Sequence, residues 1–283
     1  MTVEISIVVC TRNRAARLAS ALKYYPRLRT AASWELIAVN NGSTDETAGV
    51  LADFAGSSGL RVKVVDEPRT GASAGRNTGW RTAGGEVVAF TDDDCYPAED
   101  YVERLRECFA DRDLGYVGGR ILLFDRNDYP ITIQPSEARV DIAPRSFIQP
   151  GAMHGANIAF RRSALETVGG FDERMGPGTA VLCAEDIDLL ARVSAAGCRG
   201  AYDPRPTVYH HHGRSSAEDV RRLMAVYDVG RGAYYAKAIM DPRCRRAFLW
   251  PVLRRIGGNL RRADFSVMRR EFRGAWTYVA RRS

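Results

Sequence analysis

Three consecutive carboxylates, Asp92, Asp93 and Asp94, follow the apolar run 87–90, separated from it by Thr91. Side chains in that position are expected at the carboxyl end of a buried strand, where open α/β sheets bind their ligands. Like charges this close repel one another, so a cation among them would stabilise the cluster. Oxygen-rich clusters suit a hard divalent ion, Mg²⁺ or Mn²⁺, which often takes further ligands from phosphate groups. The alternative is a solvated acidic turn in which Asp94 caps a following helix.

A run of three histidines, 210–212, ends a predicted strand. Successive side chains of a strand face opposite ways, so His210 and His212 should point together and His211 away. Paired imidazoles could bind a metal ion, and imidazole suits Mn²⁺ better than Mg²⁺. A solvated turn is the competing interpretation of the same three residues.

The segments that must position these groups alternate between strand and helix patterns. Apolar runs predict strands at residues 4–10, 34–39, 61–65 and 86–90. Helices are predicted between them at residues 15–25, 43–54 and 76–83. Ser43 and Glu46 have the spacing of a capping box at the start of the second helix. The alternation predicts a parallel, doubly wound sheet whose fourth strand ends at the acidic cluster.

The second half of the catalytic region is predicted to be less regular. Helices are expected at residues 99–110, 163–168 and 185–196, and strands at 115–124, 156–160, 200–203 and 207–210. Residues 125–150 are polar and punctuated by proline, which predicts a long loop of the kind that shapes a binding site.

The positive charge is concentrated at one end of the chain. The net charge is +7, but residues 214–283 hold 17 Lys and Arg against 6 Asp and Glu, a net charge of +11. The preceding residues carry 24 against 28, a net charge of −4. We therefore divide the chain into a body at 1–213, with halves at 1–95 and 96–213, and a basic helical extension at 214–283. Such asymmetry indicates an anionic partner for the extension, either nucleic acid or lipid.

The six cysteines are scattered without the spacing of a zinc site or a disulfide framework. Reduced thiols of this kind are typical of cytoplasmic proteins. The sequence shows no secretory signal and no apolar run long enough to span a membrane. We therefore expect a cytoplasmic location.

An amphipathic helix is predicted near the end of the extension. Its apolar side chains recur at spacings of three and four: Phe265, Met268, Phe272, Trp276 and Val279. Arginine pairs stand between and behind them, a pattern typical of a helix that lies on an anionic membrane. This would place the protein peripherally on the inner face of the plasma membrane. The alternative is that the apolar stripe packs on the body or on a second subunit, as in a homo-oligomer.

A set of motifs, in order along residues 4–213, resembles the family 2 glycosyltransferases. The motifs are residues 8–14 (VVCTRNR), 39–45 (VNNGSTD), 71–79 (GASAGRNTG), 90–94 (FTDDD), 155–157 (GAN), 169–173 (GGFDE) and 184–189 (AEDIDL). Two of these motifs depart from the family pattern. Asn40 and Asn41 stand where an Asp pair is common, and Arg12 stands where a tyrosine often precedes Asn13.

The resemblance implies a GT-A fold, which is Rossmann-like with a mostly parallel sheet flanked by helices. It also implies a nucleotide-diphosphate sugar donor, with UDP favoured, and a divalent metal. The donor-binding residues that it implies are Cys10, Thr11, Arg12, Asn13, Asn41, Arg76, Asp92, Asp93 and Asp94. Asn41 would offer a donor and an acceptor to the base, and Arg76 would reach phosphate or base. The alternative for Arg76 is the surface start of a helix.

The resemblance also implies roles at the reacting centre. Asp94 would ligate the metal, with His210 as the first choice and His212 as the second for a histidine ligand. Asp186 would be the base that deprotonates an acceptor hydroxyl, and inversion at the anomeric carbon would follow. Glu185 would bind the acceptor or orient the loop before it. Without the resemblance, both acids could simply complement a helix dipole.

Three other classes of protein fit the sequence less well. A sugar-phosphate nucleotidyltransferase would show a glycine-rich, basic loop after its first strand, which residues 10–13 lack. A haloacid-dehalogenase-type phosphatase would carry its aspartate pair after the first strand. A nucleic-acid-binding protein would leave Asp92 to Asp94 without a role, and we expect no nucleic-acid partner. The expected partners are the sugar donor, a hydroxyl-bearing carbohydrate or glycolipid acceptor, and a membrane surface.

Overall fold

A mixed β-sheet forms the centre of the computed structural model, which describes residues 2–281. Its strands are β1 (Ile5–Thr11), β2 (Trp34–Asn40), β3 (Val62–Asp66), β4 (Val87–Asp92), β5 (Cys95–Pro97), β6 (Leu114–Leu123), β7 (Val140–Ile142), β8 (Asn157–Arg161) and β9 (Arg199–His210). The strand order is β3-β2-β1-β4-β8-β6-β9-β5, and β7 pairs with β9. Strands β1 to β4 are mutually parallel where they pair, as are β6 and β9.

Helices cover both faces of this sheet and continue past it. They are α1 (Ala15–Leu22), α2 (Thr47–Ser57), α3 (Ala72–Thr82), α4 (Tyr101–Phe109), α5 (Arg162–Val168), α6 (Glu185–Ala195), α7 (Ala217–Met240), α8 (Pro242–Arg261) and α9 (Phe265–Ala280). The prediction of a mostly parallel sheet flanked by helices, with a helical extension, is confirmed. A wholly parallel sheet is not observed, because β8 runs antiparallel to both β4 and β6.

Strand β4 is buried on both faces, which explains its unbroken apolar sequence. Val88 and Phe90 pack into one hydrophobic cluster, and Val87 and Ala89 pack into another on the opposite side of the sheet. Side chains that alternate between two cores fix the strand in register. The chain that leaves this strand, beginning at Asp92, therefore starts from a rigid position.

Several predicted boundaries need correction. The capping box of Ser43 and Glu46 does not form, because α2 begins at Thr47 and Asp45 accepts the Thr47 amide at 3.1 Å. Helix α3 begins at Ala72, four residues before the predicted start. The two strands predicted at 200–203 and 207–210 are one strand, β9, which stays paired with β6 through a register shift. The 125–150 loop contains the short strand β7.

The extension packs onto the body through α7 and α9. Lys237 of α7 forms ion pairs of 2.8 Å with Asp172 and 2.7 Å with Asp188. Tyr278 of α9 donates to Asp172 at 2.9 Å. These contacts join two helices of the extension to the segment before α6 and to α6 itself. None of the helices within residues 2–281 is long and apolar enough to cross a membrane.

Helices α7 and α9 approach each other closely at two glycines. A Cβ atom built on Gly232 would overlap the backbone of Glu271, and one built on Gly274 would overlap the backbone of Val229. We therefore expect Gly232→Ala to separate these helices and to lower the free energy of unfolding by about 1–3 kcal/mol. Chemical denaturation would measure the loss.

Gly257 supplies the matched control, since it lies within α8 and a Cβ built there meets no atom within 4 Å. Gly257→Ala should leave the stability unchanged or raise it by up to about 1 kcal/mol through helix propensity. Equal stability of the Gly232→Ala and Gly257→Ala variants would show that the close helix contact is not present in solution.

Candidate functional site

The acidic cluster lies at the carboxyl edge of the sheet, where the ends of neighbouring strands meet. In the register of β1 with β4, Cys10 lies opposite Asp92. A cavity of about 590 Å³ opens above this edge. It is lined by the ends of β1 and β4, the start of α3, the 150–156 segment, the start of α6 and one side of α7. Both halves of the body and the extension therefore contribute to one pocket.

Arg14 pairs with two of the three carboxylates. Its guanidinium lies 2.8 Å from Asp93 and 2.7 Å from Asp94. Thr11 donates its hydroxyl to Asp93 at 2.6 Å. Burial outweighs these contacts and raises the pKa of Asp93 to about 6. Asp94 behaves oppositely, because His210 and Arg14 together overcome its burial and lower its pKa. Asp94 is thus the more firmly ionised of the two.

A group of side chains with the composition of a metal site surrounds Asp94. The possible ligand atoms of Asp92, Asp94, Cys95 and His210 all lie within 4.8 Å of one another. Burial raises the pKa of the Cys95 thiol, and a neutral thiol is a poor ligand for a hard divalent ion. The remaining set of two carboxylates and one imidazole suits Mn²⁺, and Mg²⁺ less well. The donor set therefore fits a hard divalent ion.

His210 is oriented as metal-binding histidines are. Its Nδ1 lies 3.2 Å from the carbonyl oxygen of Thr132, which fixes the proton on that nitrogen. Its Nε2 then directs a lone pair at Asp94 Oδ1, 3.3 Å away. Two acceptors at this distance repel unless a cation or a proton lies between them. Burial opposes protonation, but Asp94 outweighs it and raises the pKa of His210.

His212 lies outside this group. Its Nε2 donates to the carbonyl oxygen of Tyr129 at 3.1 Å, and its Nδ1 accepts from the Arg214 amide at 3.0 Å. Both ring nitrogens are thus occupied by backbone groups. Of the two histidines proposed from the sequence, His210 lies beside the carboxylates. His212 instead connects the backbone of Tyr129 to the backbone of Arg214.

Arg76 connects the metal-binding side of the pocket to α6. Its guanidinium lies 2.9 Å from Asp92 and 2.6 Å from Glu185. Burial opposes its charge, yet the two carboxylates together raise the pKa of Arg76. Arg76 is buried, so the interpretation as a surface helix start does not describe it. The bridge fixes the first turn of α6 relative to the end of β4.

Glu185 gives the protein a pH dependence that can be measured. Burial raises its pKa from 4.5 to about 7, although Arg76 opposes the shift. The folded protein holds this proton more tightly than the unfolded chain does. The contribution of Glu185 to stability is therefore complete below pH 4.5 and is lost as the pH rises through about 7.

Between pH 5 and pH 8 we expect the metal-free wild type to lose about 1–3 kcal/mol more stability than Glu185→Gln does. Glutamine keeps an oxygen that can accept from Arg76 but has no proton to release. Urea unfolding at the two pH values measures the difference. If the wild type and the variant change by the same amount, Glu185 does not titrate in this range.

Asp186 is held by two backbone amides at the start of α6. Gly155 donates to its Oδ2 at 2.6 Å, and Ile187 donates to its Oδ1 at 2.7 Å. A Cβ built on Gly155 would lie 3.2 Å from Asp186 and 3.5 Å from Arg76, so the three residues meet at one point. Each carboxylate oxygen keeps a lone pair, and Asp186 lines the pocket. It can therefore accept a proton from a bound hydroxyl group.

The residues expected to frame a base divide into two groups. Cys10, Thr11 and Arg12 line the pocket. Asn13 instead accepts from the Thr44 amide at 2.7 Å. The amide nitrogen of Asn41 donates to the carbonyl oxygens of Glu67 and Arg69, and its oxygen accepts from Gly71. Asn41 thus holds the 67–71 loop and has no free donor for a base.

Some pocket residues were given no role by the sequence analysis. Arg14 follows β1 on the edge where β4 ends, so strand adjacency was a signal that could have placed it beside the cluster. His154 lines the pocket, and burial lowers its pKa although Asp186 opposes the shift. Tyr227 and Arg231 of α7 line the same pocket from the extension. No motif distinguishes them, because their position depends on how α7 packs.

Comparison with known proteins places the chain in a family of enzymes. The relatives include the pre-mycofactocin glycosyltransferase of Mycobacterium tuberculosis, 29% identical over 223 residues, which are 74% of this chain and 43% of the relative. Glycosyltransferase AglE of Haloferax volcanii is 24% identical over 206 residues, covering 68% of this chain and 62% of AglE. The chain thus matches less than two thirds of the length of either relative.

Solved structures show the same fold. The mannosyltransferase PcManGT from Pyrobaculum calidifontis, in complex with GDP-Man and Mn²⁺, has a TM-score of 0.68 at 20% identity, covering 100% of this chain and 77% of that one. S. aureus TarS 1-349 in complex with UDP-GlcNAc has a TM-score of 0.58 at 18% identity, covering 80% of this chain and 66% of that one. The family model of glycosyl transferase family 2 matches residues 6–169. Because that match spans more than half of the 283 residues, the protein belongs to glycosyl transferase family 2.

Proposed function

We propose that this protein transfers a glycosyl group from a nucleotide-diphosphate sugar to an acceptor hydroxyl, with inversion at the anomeric carbon. One observation supports the proposal most strongly. A single pocket contains both a metal-binding set, centred on Asp94 and His210, and the carboxylate of Asp186. Arg76 and Glu185 link the two parts across the pocket. This arrangement can hold a diphosphate on one side and a hydroxyl group on the other.

The donor side of the pocket is proposed to bind the diphosphate. Asp94 and His210 would hold a divalent ion, with Asp92 as a further candidate ligand. When bound, such an ion stabilises negative charge that develops on a leaving phosphate oxygen. Arg14 and Arg76 supply two further cations that line the pocket beside the carboxylates. Manganese is the proposed metal because imidazole is one of the ligands.

The acceptor side is proposed to centre on Asp186. Its carboxylate would accept the proton of the acceptor hydroxyl as the oxygen attacks the anomeric carbon. The amides of Gly155 and Ile187 fix its orientation, so little freedom is lost at the moment of reaction. Direct displacement by that oxygen inverts the anomeric configuration. Glu185 would act by positioning Arg76 rather than by contacting the proton.

A UDP-sugar is the proposed donor and a hydroxyl of a carbohydrate or glycolipid the proposed acceptor, as in polysaccharide or glycoconjugate synthesis. One solved neighbour holds UDP-GlcNAc, which supports a UDP-sugar as the donor. Another holds GDP-Man, so donors with both nucleotides need to be assayed. The two departures at Arg12 and Asn41 lie on the side of the pocket where a base would bind.

The proposal is tested by incubating the protein with Mn²⁺ and a panel of UDP-, GDP- and dTDP-sugars. Release of the nucleoside diphosphate would be followed with EDTA-treated protein as the control. We expect metal-dependent release with one donor. The configuration of the transferred or hydrolysed sugar, read by proton NMR, should be opposite to that of the donor. Retention of configuration would rule out direct displacement assisted by Asp186.

A further inference from the structure

The most exposed hydrophobic side chains of the described residues are concentrated on α8 and α9. Nine of the sixteen exposed large hydrophobic residues lie on these two helices. The four with the largest exposed fractions are Trp250 at 72%, Phe272 at 71%, Phe265 at 65% and Trp276 at 65%. Exposed apolar side chains concentrated in this way mark a site of interaction with a protein or a membrane.

Helix α8 has two different apolar faces. Cys244, Phe248 and Val252 are buried against the rest of the chain. The exposed apolar residues are Leu249, Trp250, Leu253, Ile256 and Leu260. They recur at spacings of three and four, so they form one stripe on the face away from the buried residues. This stripe has no partner in residues 2–281.

Helix α9 repeats the arrangement. It is buried through Gly274 and Tyr278. Phe265, Phe272, Trp276 and Val279 are exposed and share one side of the helix. The sequence analysis left open whether this stripe packs on the body. The structure shows that it does not, since three of these four side chains are 65% exposed or more.

Arginines without a carboxylate partner accompany both stripes. Arg231, Arg255 and Arg270 pair with Asp228 or Glu271 inside the extension. Among the residues that the structure describes, other arginines of this region have no such partner: Arg246, Arg254, Arg261, Arg262, Arg269 and Arg273. Arg254 is one turn from Trp250, and Arg269 is one turn from Phe265 and near Phe272. Uncompensated positive charge thus borders the exposed apolar stripes.

Five arginines line a groove of about 610 Å³ next to the catalytic pocket: Arg231, Arg254, Arg255, Arg261 and Arg262. Trp250 belongs to the same groove. Pro150 and Arg231 line both the groove and the pocket that contains Asp186. The basic, apolar surface therefore continues up to the catalytic pocket.

We propose that the exposed apolar stripes of α8 and α9, with the arginines beside them, dock on the surface of a bilayer that contains anionic lipid. Indole and phenyl rings partition into the interfacial region, and guanidinium groups bind phosphate head groups. The net charge of +11 on residues 214–283 is complementary to an anionic lipid and opposes the approach of a second identical extension. Docking would bring the groove, and through it the catalytic pocket, to the head-group region.

Co-sedimentation with vesicles tests the proposal without reference to catalysis, so its outcome is separate from that of the transferase assay. The full chain should sediment with vesicles of phosphatidylcholine and phosphatidylglycerol, and far less with phosphatidylcholine alone. The emission of Trp250 and Trp276 should shift to shorter wavelength on binding. Raising the salt concentration should weaken the association.

Two pairs of substitutions identify the surface. Trp250→Ser with Trp276→Ser, and separately Arg254→Gln with Arg261→Gln, should each lower partitioning onto anionic vesicles by about tenfold or more. Arg112→Gln with Arg126→Gln removes the same charge from exposed positions on the body and should change the partitioning onto anionic vesicles little. Equal loss in the body control would show that net charge alone causes binding and would overturn the proposal. The proposal would also be overturned if the protein formed a concentration-dependent dimer that does not bind vesicles and that the tryptophan variant does not form. A second copy of the chain would then cover the surface.

Discussion

Replacement of Asp186 by asparagine should lower kcat by about 10²- to 10⁴-fold, the range found for removal of a general base. Asparagine keeps one oxygen to accept from Gly155 or Ile187, so the first turn of α6 should persist. It cannot take a proton from an attacking hydroxyl group. Transfer should therefore fail while the donor still binds. Steady-state kinetics with isothermal titration of the donor measures both quantities.

Glu166→Gln is the matched control, because Glu166 is exposed on α5 and makes no side-chain contact with the pocket. It should leave kcat and donor affinity unchanged. If Asp186→Asn keeps turnover near the wild-type rate, the base is another residue, and His154 would be the next candidate in the pocket. If the variant loses donor affinity as well as rate, Asp186 acts on the donor rather than on the acceptor.

Asp94→Asn should remove the metal dependence of donor binding. In the wild type, Asp94 Oδ1 lies 3.3 Å from His210 Nε2, an arrangement that a shared cation stabilises. Asparagine takes away the negative charge of that pair. We expect the wild type to bind the donor about 10²-fold more tightly with Mn²⁺ than with EDTA, as several kcal/mol of charge stabilisation would give. In the variant, the two affinities should be nearly equal.

Asp53→Asn serves as the control for this change, since Asp53 is exposed on α2, away from the pocket. Its donor affinity should respond to Mn²⁺ as the wild type does. A full metal response in Asp94→Asn would show that the ion is held by other residues. Asp94 also pairs with Arg14, so thermal unfolding of the variant without metal should be compared with that of Arg14→Gln.

Most of the fold could be predicted because its signals are local. The apolar runs that became β1, β2 and β4 are continuous since these strands are buried on both faces. The order of strand and helix patterns then implied the sheet. The antiparallel insertion of β8 between β4 and β6 could not be predicted, because a five-residue strand has the same pattern in either direction.

The sequence indicated those site residues that carry a suitable chemical group and also lie at or just after the end of a predicted strand. Asp94 and His210 are far apart in sequence, yet Asp94 lies two residues past the end of β4 and His210 ends β9 of the same sheet. Arg76 and Glu185 were named separately, but nothing in the sequence indicated that they form one buried ion pair. The pairing depends on how α3 and α6 pack, which no local pattern specifies.

Residues with several possible partners were hardest to assign. An asparagine such as Asn41 offers donors and an acceptor, which a ligand or the backbone can use equally well. Here the carbonyl groups of Glu67 and Arg69 take both donors. His212 is a similar case, since two backbone groups occupy its ring. Only the path of the neighbouring loop distinguishes these outcomes.

The exposed stripes of α8 and α9 show the opposite situation. The spacing of their apolar residues was visible in the sequence, but an amphipathic helix looks the same whether its stripe meets protein or solvent. In α9, Tyr278 is buried whereas Trp276, two residues away, is exposed, so the stripe that contains Trp276 faces solvent.

Asp94 and His210 are proposed to hold a divalent ion beside the diphosphate of the donor. The most direct test is a crystal grown with Mn²⁺ and UDP, with anomalous diffraction data recorded to locate manganese. We expect a manganese peak within bonding distance of Asp94 and of His210 Nε2, with the diphosphate on its open side, as this proposal requires. A manganese peak elsewhere in the protein, with UDP bound and these two side chains still paired to each other, would contradict it.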